Sequence, residues 1–436
     1  ATESSRAWQS PQKSKAARTM TTDSSHLPRY LEGLVQYVQK PQKTVVGLHS
    51  GTSADGPGVV VARISGMGQD TEIEVVEFES YDYESPLREC IFDVFARETG
   101  SLDRVAQADN AIGEYFAECV QRILKKAGMT TADLDLIVSS GQVCYQVIEG
   151  QRDDHRWLGD EAVTAFLDLG AGAFIAERTG VTTVSNLRQR DIAAGGLGVP
   201  TVSYGDWVIF GHPTINRALH NLGGIANPTV IPAGADLDGM FAFDSGPANM
   251  ILDALVGWIT NGEKAYDEGG AMAAQGTVHA GLLEELMCHP FVLQTPPKGA
   301  ARQLFGHEYS AGVRDRGREL GLSDYDLLAT TAAFTAESIA HNYREFVFPR
   351  AKVDEILLAG GGAQNETVCR MIAERMAPIP VSTTEDLGIP VEAREVLTMV
   401  VIGNETVQGG TGNVPNATGS SKLVIAGDIT PGRPGR

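Results

Sequence analysis

Three glycine-rich segments, far apart on the chain, each follow an apolar run typical of a β-strand. The runs and the segments after them are residues 44–48 and 50–56, 241–243 and 244–249, and 355–359 and 360–365. A strand that ends in a glycine turn beside polar groups, used three times, is typical of a chain that wraps nucleotide phosphates. Glycine lets backbone N–H groups approach phosphate oxygens closely. Together, in this order, the segments predict a phosphotransferase.

The first segment combines hydroxyl groups with one carboxylate, Asp55. N–H groups of such a turn suit the β- and γ-phosphates, and Asp55 suits Mg²⁺, bound directly or through water. Taken alone, the segment also fits an ordinary hairpin whose aspartate caps its own turn. The other two segments favour the phosphate site.

Asp244 is the candidate general base. It follows the run Phe-Ala-Phe and therefore leaves a buried sheet at its edge, and Gly246 and Pro247 then turn the chain into a helix that starts near Asn249. A positioned carboxylate that acts as a general base accelerates a reaction by a factor on the order of 10²–10⁴. The alternative is a carboxylate that only caps the turn or the helix.

Further motifs accompany these segments in a fixed order. They are 188–196 (RQRDIAAGG), 221–227 (NLGGIAN), 296–298 (PPK) and 412–415 (GNVP), followed by Thr418 and Gly419. With them, the chain resembles the 1,6-anhydro-N-acetylmuramic acid kinase family, which includes the levoglucosan kinases. The resemblance covers roughly residues 44–427 without large gaps.

The resemblance implies an α/β, two-domain, actin-like ATPase and sugar-kinase fold, which is RNase H-like and holds the nucleotide in an interdomain cleft. It implies ATP and Mg²⁺ as cofactors and a small anhydro sugar as substrate. In the family, the aspartate matching Asp244 activates a water that attacks C1 of the sugar. O6 leaves C1 and takes up the γ-phosphoryl group in the same event.

The resemblance also assigns binding residues. Those expected to bind ATP are Ser50, Gly51, Thr52, Ser53, Gly223, Gly224, Gly360, Gly361, Gly362 and Asn365. Those expected to bind the sugar are Gln142, Arg190, Asp191 and Asn249. Asp55 and Glu392 are expected to hold the metal, although Glu392 also suits a helix N-terminus, where the dipole favours an acid. Arg190 and Asp191 also fit a salt-bridged loop, and Lys298 fits either a phosphate contact or the surface.

Several sugar-side positions depart from the family pattern. The family usually has His and Thr where this chain has Ser140 and Val143, and Gln where it has Leu197. Each lost donor weakens sugar binding by about 1–3 kcal/mol. Two functions therefore stay open: an anhydro-sugar kinase, and a nucleotide-binding, catalytically impaired homologue that acts as a sensor or scaffold. The sugar, 1,6-anhydro-N-acetylmuramic acid or levoglucosan, is also open.

The chain of 436 residues is long enough for two α/β domains. Residues 1–43 are expected to form a polar leader, disordered or a transit peptide, plus a short helix. Residues 44–214 and 215–436 are expected to form the two domains, each led by a β-hairpin, with the C-terminal helix free to cross back. A further strand, 72–78, alternates in polarity until a slip at Val76.

Charge and cysteine content limit the partners. The net charge of −20 argues against nucleic acid and anionic membranes, and no apolar run reaches the roughly 18 residues of a membrane span. The 5 cysteines are scattered and odd in number, which indicates free thiols in a reducing compartment. We expect a cytoplasmic protein, with a homodimer as one open alternative.

Overall fold

The computed structural model of the chain describes residues 28–51, 54–96, 98–147, 164–300 and 304–433. Its helices within these ranges are α1 (Arg29–Gln39), α2 (Ser85–Phe95), α3 (Leu102–Lys126), α4 (Gly172–Thr179), α5 (Gln189–Ala193), α6 (Ser203–Phe210), α7 (Asn249–Ile259), α8 (Ala280–Met287), α9 (Pro290–Leu293), α10 (His307–Glu319), α11 (Asp324–Asn342), α12 (Glu366–Met376), α13 (Ala393–Gln408) and α14 (Pro415–Thr418). None of these described helices combines the length and hydrophobicity that crossing a bilayer requires. The predicted leader, residues 1–27, lies outside the described ranges, and the predicted short helix after it is α1.

The first sheet contains the N-terminal hairpin. Its described strands are β1 (Gln42–Ser50), β2 (Gly58–Ser65), β3 (Glu72–Ser80), β4 (Leu136–Val147), β5 (Ala165–Leu169), β6 (Thr183–Ser185) and β13 (Asp428–Thr430). Their order is β13-β6-β4-β1-β2-β3, and β5 pairs with β4. β1 pairs antiparallel with β2 and parallel with β4. The β-branched residues of the hairpin favour this pairing, and Val45 and Val60 are fully buried.

The second sheet repeats this arrangement. Its described strands are β7 (Arg217–Leu222), β8 (Ile225–Ile231), β9 (Phe241–Ala242), β10 (Gly246–Pro247), β11 (Glu355–Ala359) and β12 (Val381–Thr383). Their order is β10-β8-β7-β11-β12, and β9 pairs with β8. β7 pairs antiparallel with β8 and parallel with β11, as β1 does with β2 and β4. The predicted α/β architecture, with one hairpin leading each half, is confirmed.

The C-terminal segment returns to the first sheet. A Cβ added to Gly47 of β1 would lie 2.6 Å from Val400, and one added to Gly403 would overlap Val138 of β4. Helix α13 therefore lies directly on β1 and β4. Farther along, β13 pairs antiparallel with β6. The predicted crossing back of the helix is confirmed, while the domain division near residue 215 stays a prediction.

A buried ion pair fixes the rotation of α13. Arg394 of α13 and Asp206 of α6 have fully buried side chains and pair through two hydrogen bonds. Burial raises the pKa of Asp206, and the Arg394 charge opposes that shift. Breaking one side of such a pair leaves an uncompensated buried charge, which is strongly unfavourable. The pair thus fixes the rotation of α13, which also carries Glu395, the next residue.

Two details of the first sheet test the sequence reading. Val61 pairs with Glu77 and Ala62 with Val75, so Val76 is the extra residue of a bulge, and the predicted slip is confirmed. Strand β4 does not end with its apolar residues 136–138 but continues to Val147. The reason is its pairing with β5, which was not predicted and which covers β4 from Gln142 onward.

Candidate active site

The first turn joins β1 to β2 and is closed by Gln142. The Ser50 hydroxyl donates to Gln142 Oε1 (2.6 Å), and the Gly56 carbonyl oxygen, 3.1 Å away, is the alternative acceptor for the same proton. Gln142 Nε2 donates to the carbonyl oxygens of Gly51 and Val143, both at 2.8 Å. Because its oxygen and its amide nitrogen are both used, Gln142 supports the turn. Its predicted contact with the sugar stays a prediction.

The glycines of this turn have different surroundings. A Cβ on Gly56, whose φ is +154°, would overlap the Tyr81 carbonyl group, so only glycine fits there. A Cβ on Gly51 would come no closer than 3.9 Å to His49 Nε2. The turn is therefore closed towards Tyr81 and open at Gly51, as the approach of a phosphate requires. Thr52 and Ser53, also predicted to bind ATP, lie outside the described residues.

The second turn, Gly223-Gly224 between β7 and β8, is held by the start of α7. Asn249 donates its backbone N–H to the Gly223 carbonyl oxygen (2.9 Å), and its Nδ2 donates to the Leu222 carbonyl oxygen (3.0 Å). Its Oδ1 faces the third segment, since a Cβ on Gly362 would lie 2.6 Å from that oxygen. Asn249, predicted to bind sugar, thus joins two of the predicted ATP segments.

The third segment follows β11. Gly360 has a φ of +81°, and a Cβ there would lie 2.6 Å from Asn221 Oδ1, whereas Gly361 has open space around its Cα. Asn365 accepts a hydrogen bond from the Val368 N–H (3.0 Å) and so caps α12. The backbone of Gly361 is the part of this segment that a ligand can approach.

Asp244 lies just after β9 and is partly buried. Its Oδ2 accepts the Ala300 N–H (2.6 Å), and its own N–H donates to the Lys298 carbonyl oxygen (3.1 Å). Its second oxygen, Oδ1, has no hydrogen-bond donor among the described residues. Burial raises the pKa of Asp244 to about 6, while the Ala300 N–H and the Lys298 charge act in the opposite direction. A fixed carboxyl group with one free oxygen and a pKa near neutrality suits a general base.

Buried polar groups hold the Asp244 loop from behind. The Ser245 carbonyl oxygen accepts Asn342 Nδ2 (2.9 Å), and the Ser245 hydroxyl donates to the Ala226 carbonyl oxygen (3.0 Å). Lys298 Nζ donates to the carbonyl oxygens of Phe291 (3.0 Å) and Val292 (3.1 Å). Lys298 thus anchors the segment that contains Ala300, whose N–H binds Asp244. Lys298 is buried, so the surface position is wrong, and its phosphate contact stays a prediction.

Two carboxylates, Asp55 of the first turn and Asp253 of α7, interact electrostatically. Asp55 is exposed and pairs with Arg88 (3.1 Å). Burial raises the pKa of Asp253 on α7 to about 7, and the negative charge of Asp55 adds to that shift. Asp253 was not predicted, although its spacing of four residues from Asn249 puts both on one face of α7.

These two carboxylates fit Mg²⁺. Kinases usually bind Mg²⁺ through one or two carboxylates together with substrate phosphates, and two neighbouring carboxylates that repel each other are stabilised by a cation. Among the residues that the structure describes there is no group of three or more His, Cys, Asp or Glu that could hold a metal alone. That is compatible with a site that the nucleotide completes.

Glu392 and Glu395 lie one helical turn apart and differ in surroundings. Glu392 is exposed and accepts Gln364 Nε2 (3.2 Å). Glu395 accepts Asn221 Nδ2 at Oε1 (2.9 Å), and its Oε2 lies 3.2 Å from His49 Nε2. Burial raises the pKa of Glu395, but His49, Arg394 and Asn221 outweigh it and lower the pKa to about 2. Sequence reasoning missed Glu395 and His49, because only the packing of α13 on β1 brings them together. The metal role of Glu392 stays a prediction.

Arg190 and Asp191 adjoin in sequence but differ in surroundings. Arg190 is exposed. Its carbonyl oxygen accepts the Ala194 N–H (3.1 Å), but its side chain forms no hydrogen bond or ion pair with any other residue in the described ranges. Asp191 is buried, and its oxygens accept hydrogen bonds from Gly198 N–H (2.9 Å), Asn413 Nδ2 (2.8 Å) and the Thr418 hydroxyl (2.8 Å). The salt-bridged loop proposed as an alternative is therefore not what forms. Asp191 joins the 188–196 and 412–415 motifs, and its sugar contact stays a prediction.

The comparisons with known proteins agree with the motifs. The sequence profile of the family described as anhydro-N-acetylmuramic acid kinase matches residues 43–432. A protein of that name from Caldanaerobacter subterraneus subsp. tengcongensis is 38% identical over 400 residues, which are 92% of this chain and 100% of the relative. One from Clostridioides difficile is 36% identical over 386 residues, 88% of this chain and 98% of the relative. One from Francisella tularensis subsp. novicida is 35% identical over 387 residues, 89% and 98% of the two chains.

These matches extend over nearly all of the described residues, including both hairpins and Asp244. They confirm the family predicted from the motifs and, with it, the predicted actin-like ATPase and sugar-kinase fold class. The chain belongs to the anhydro-N-acetylmuramic acid kinase family.

Proposed function

We propose that this chain is an ATP-dependent kinase that hydrolyses the 1,6-anhydro bridge of an anhydro sugar while it phosphorylates O6. The observation that carries the proposal is Asp244, a carboxyl group that is fixed by the Ala300 N–H and has a pKa of about 6, and whose Oδ1 has no donor among the described residues. The named relatives are kinases of an anhydro sugar, whose ring opening requires a base that activates water.

The reaction needs one proton acceptor. Asp244 Oδ1 takes a proton from water as the water oxygen attacks C1 from the face opposite the bridge. The C1–O6 bond breaks, and O6 forms a bond to the γ-phosphorus as the bond to ADP breaks. The proton remains on Asp244 until solvent removes it, so no second acid is required for the leaving oxygen.

The three turns supply donors for the nucleotide. Open backbone at Gly51, Gly361 and the Gly223-Gly224 turn suits phosphate oxygens and the adenosine. Because the net charge of −20 repels an anion, local donors and a cation must outweigh the field of the whole protein. Mg²⁺, when bound, neutralises charge on the phosphoryl oxygens, and Asp55 and Asp253 are the residues that would hold it.

The sugar side is less polar than the family pattern implies. Family members usually have polar groups at the positions of Ser140, Val143 and Leu197. Arg190, seven residues before Leu197, is an exposed cation. The candidate substrates are 1,6-anhydro-N-acetylmuramic acid and levoglucosan. Nothing in the described residues favours the impaired homologue, since Asp244 and Asn249 keep their supporting contacts. Cytoplasmic location and oligomeric state remain proposals.

The test is ATP consumption by the purified full chain with each sugar in turn and with none. We expect ADP and a sugar 6-phosphate to form together with one sugar at least. Asp238→Asn, which removes an exposed charge, is the matched control for Asp244→Asn. ATP binding without turnover on either sugar would contradict the proposal and favour the sensor or scaffold.

A further inference from the structure

One chain of side-chain contacts remains without a role in the proposed reaction. His49 Nδ1 lies 2.5 Å from the Ser140 hydroxyl, and His49 Nε2 lies 3.2 Å from Glu395 Oε2. Glu395 Oε1 in turn accepts Asn221 Nδ2 at 2.9 Å. Both imidazole nitrogens and both carboxylate oxygens are therefore used, which fixes the orientation of each group.

The chain of contacts connects both sheets at their turns. His49 directly precedes Ser50 at the end of β1, and Ser140 lies on β4 beside Gln142. Asn221 is near the end of β7, directly ahead of the second turn. Glu395 lies between them on α13, whose rotation the Arg394–Asp206 pair fixes. His49 thus links the two turns that are proposed to bind phosphate, residues 50–56 and Gly223-Gly224 (the phosphate turns).

The far end of this chain has an unused acceptor. Asn221 is only 6% exposed, and its Oδ1 has no hydrogen-bond partner among the described residues. A Cβ on Gly360 would lie 2.6 Å from that oxygen, so it faces the third segment. A buried acceptor without a donor is unfavourable unless a ligand or water supplies one. Its place beside two phosphate turns favours a ligand.

The near end lies on the sugar side of the proposed site. The Ser140 carbonyl oxygen accepts Arg188 Nη1 (3.4 Å), and the same Nη1 donates to Asp168 Oδ2 (2.6 Å). Asp168 Oδ1 and Arg188 Nε are buried without partners in the described ranges. His49 therefore stands between a set of partly unused sugar-side groups and the phosphate turns.

We propose that His49 is a positioning residue for the transfer reaction: Nε2 holds the phosphate turns through Glu395 and Asn221, and Nδ1 holds the sugar-side strand through Ser140. This inference rests on the proposed function. Because a misplacement of about 1 Å can cost 10²-fold in rate, a residue that sets this spacing acts on turnover without touching the substrate.

Two substitutions separate the two contacts. His49→Gln keeps an amide near the place of Nε2 and loses the contact with Ser140. His49→Asn keeps a polar group near the place of Nδ1 and loses the contact with Glu395. We expect His49→Asn to raise the KM for ATP and lower kcat by about tenfold or more, and His49→Gln mainly to raise the KM for the sugar.

An exchange of the two residues is the sharper test. Ser140 and His49 face each other across β1 and β4, so His49→Ser with Ser140→His presents an imidazole to the same place from the other strand. We expect kcat of the exchanged double variant to be at least about tenfold higher than kcat of His49→Ser alone. If His49 were only a structural brace, His49→Ser would lower the melting temperature and leave the turnover of the folded protein unchanged, which would overturn the inference.

Equilibrium ATP binding, measured by calorimetry, keeps this inference separate from the proposed function. If the unsubstituted chain turns over neither sugar, the proposed function fails, but weaker ATP binding by His49→Asn than by His49→Gln still supports the positioning role. Equal ATP affinities and equal kinetics in these two folded variants overturn it. If both variants fail to fold, Ser140→Ala, which removes only the hydroxyl, is the test. We expect it to raise the KM for the sugar and not the KM for ATP. An unchanged sugar KM would overturn the inference.

Discussion

Asp244 and Asp191 both lie in motifs that resemble the family, but their carboxyl groups have different surroundings. Asp244 accepts one backbone N–H at Oδ2, and burial raises its pKa to about 6. Asp191 accepts three hydrogen bonds, from Gly198, Asn413 and Thr418. Asp244 Oδ1 has no donor among the described residues and is available for chemistry, whereas both Asp191 oxygens hold two loops together.

The difference shows what a motif alone leaves undecided. A carboxylate acts on a substrate only when it has hydrogen-bonding capacity left, and a saturated one contributes to stability instead. The two roles are therefore distinguished by whether a substitution lowers turnover or lowers the free energy of unfolding.

The largest expected effect is on turnover. Asp244→Asn removes the proton acceptor but keeps the Ala300 N–H satisfied by the amide oxygen, so the fold and ATP affinity are expected to be nearly unchanged. We expect kcat to fall at least about a hundredfold. Steady-state kinetics with ATP binding measured in parallel check this, with Asp238→Asn as control. Unchanged kcat in the folded variant would remove Asp244 from the mechanism.

The second effect is on stability. Asp191→Ala leaves three donors without their acceptor, in a buried place, which we expect to cost on the order of 3 kcal/mol of unfolding free energy. Urea unfolding measures this, with Arg190→Ala, at the exposed neighbouring position, as the matched control. Full stability combined with a loss of sugar turnover would mean that Asp191 is a substrate ligand and that the comparison with Asp244 is misdrawn.

The third effect is on pH dependence. The Lys298 charge lowers the pKa of Asp244 against the effect of burial, which raises it to about 6. Asp244 is active as the carboxylate, so kcat/KM is expected to decline about tenfold per pH unit below about 6. Lys298→Met removes the charge, and the acidic limb is then expected to move to higher pH. A limb that stays in place in a folded variant would contradict the electrostatic link.

The smallest effect concerns the apolar sugar side. If Val143 and Leu197 line the sugar pocket, Val143→Thr with Leu197→Gln restores polar groups and is expected to lower the sugar KM by about fivefold, within the 1–3 kcal/mol of a regained hydrogen bond. The KM for ATP is expected to stay unchanged, because the phosphate turns are untouched. A change in the ATP KM alone would place these residues on the nucleotide side.

Local patterns predicted much of the fold. Both hairpins, the bulge at Val76 and the helix that begins at Asn249 follow from strand alternation and glycine turns. The continuation of β4 to Val147 could not be predicted, because it depends on pairing with β5, a distant partner.

The candidate site was predictable only where a motif and its turn are the same segment. Asp244 and the three glycine turns are such cases. His49 and Glu395 meet through tertiary packing of α13 on β1, and no local pattern distinguishes Glu395 from Glu392. The saturation of Asp191 depends on a loop more than 200 residues away, which sequence spacing does not reveal.

The most direct test of the central claim is the reaction in ¹⁸O-water with the anhydro sugar that is turned over. Water attacks carbon and O6 attacks phosphorus in the proposed reaction, so mass spectrometry should find the label on the C1 hydroxyl and none in the phosphate group of the product or in released phosphate. Label in phosphate oxygens, with an unlabelled C1 hydroxyl, would show ordinary ATP hydrolysis and contradict the role assigned to Asp244.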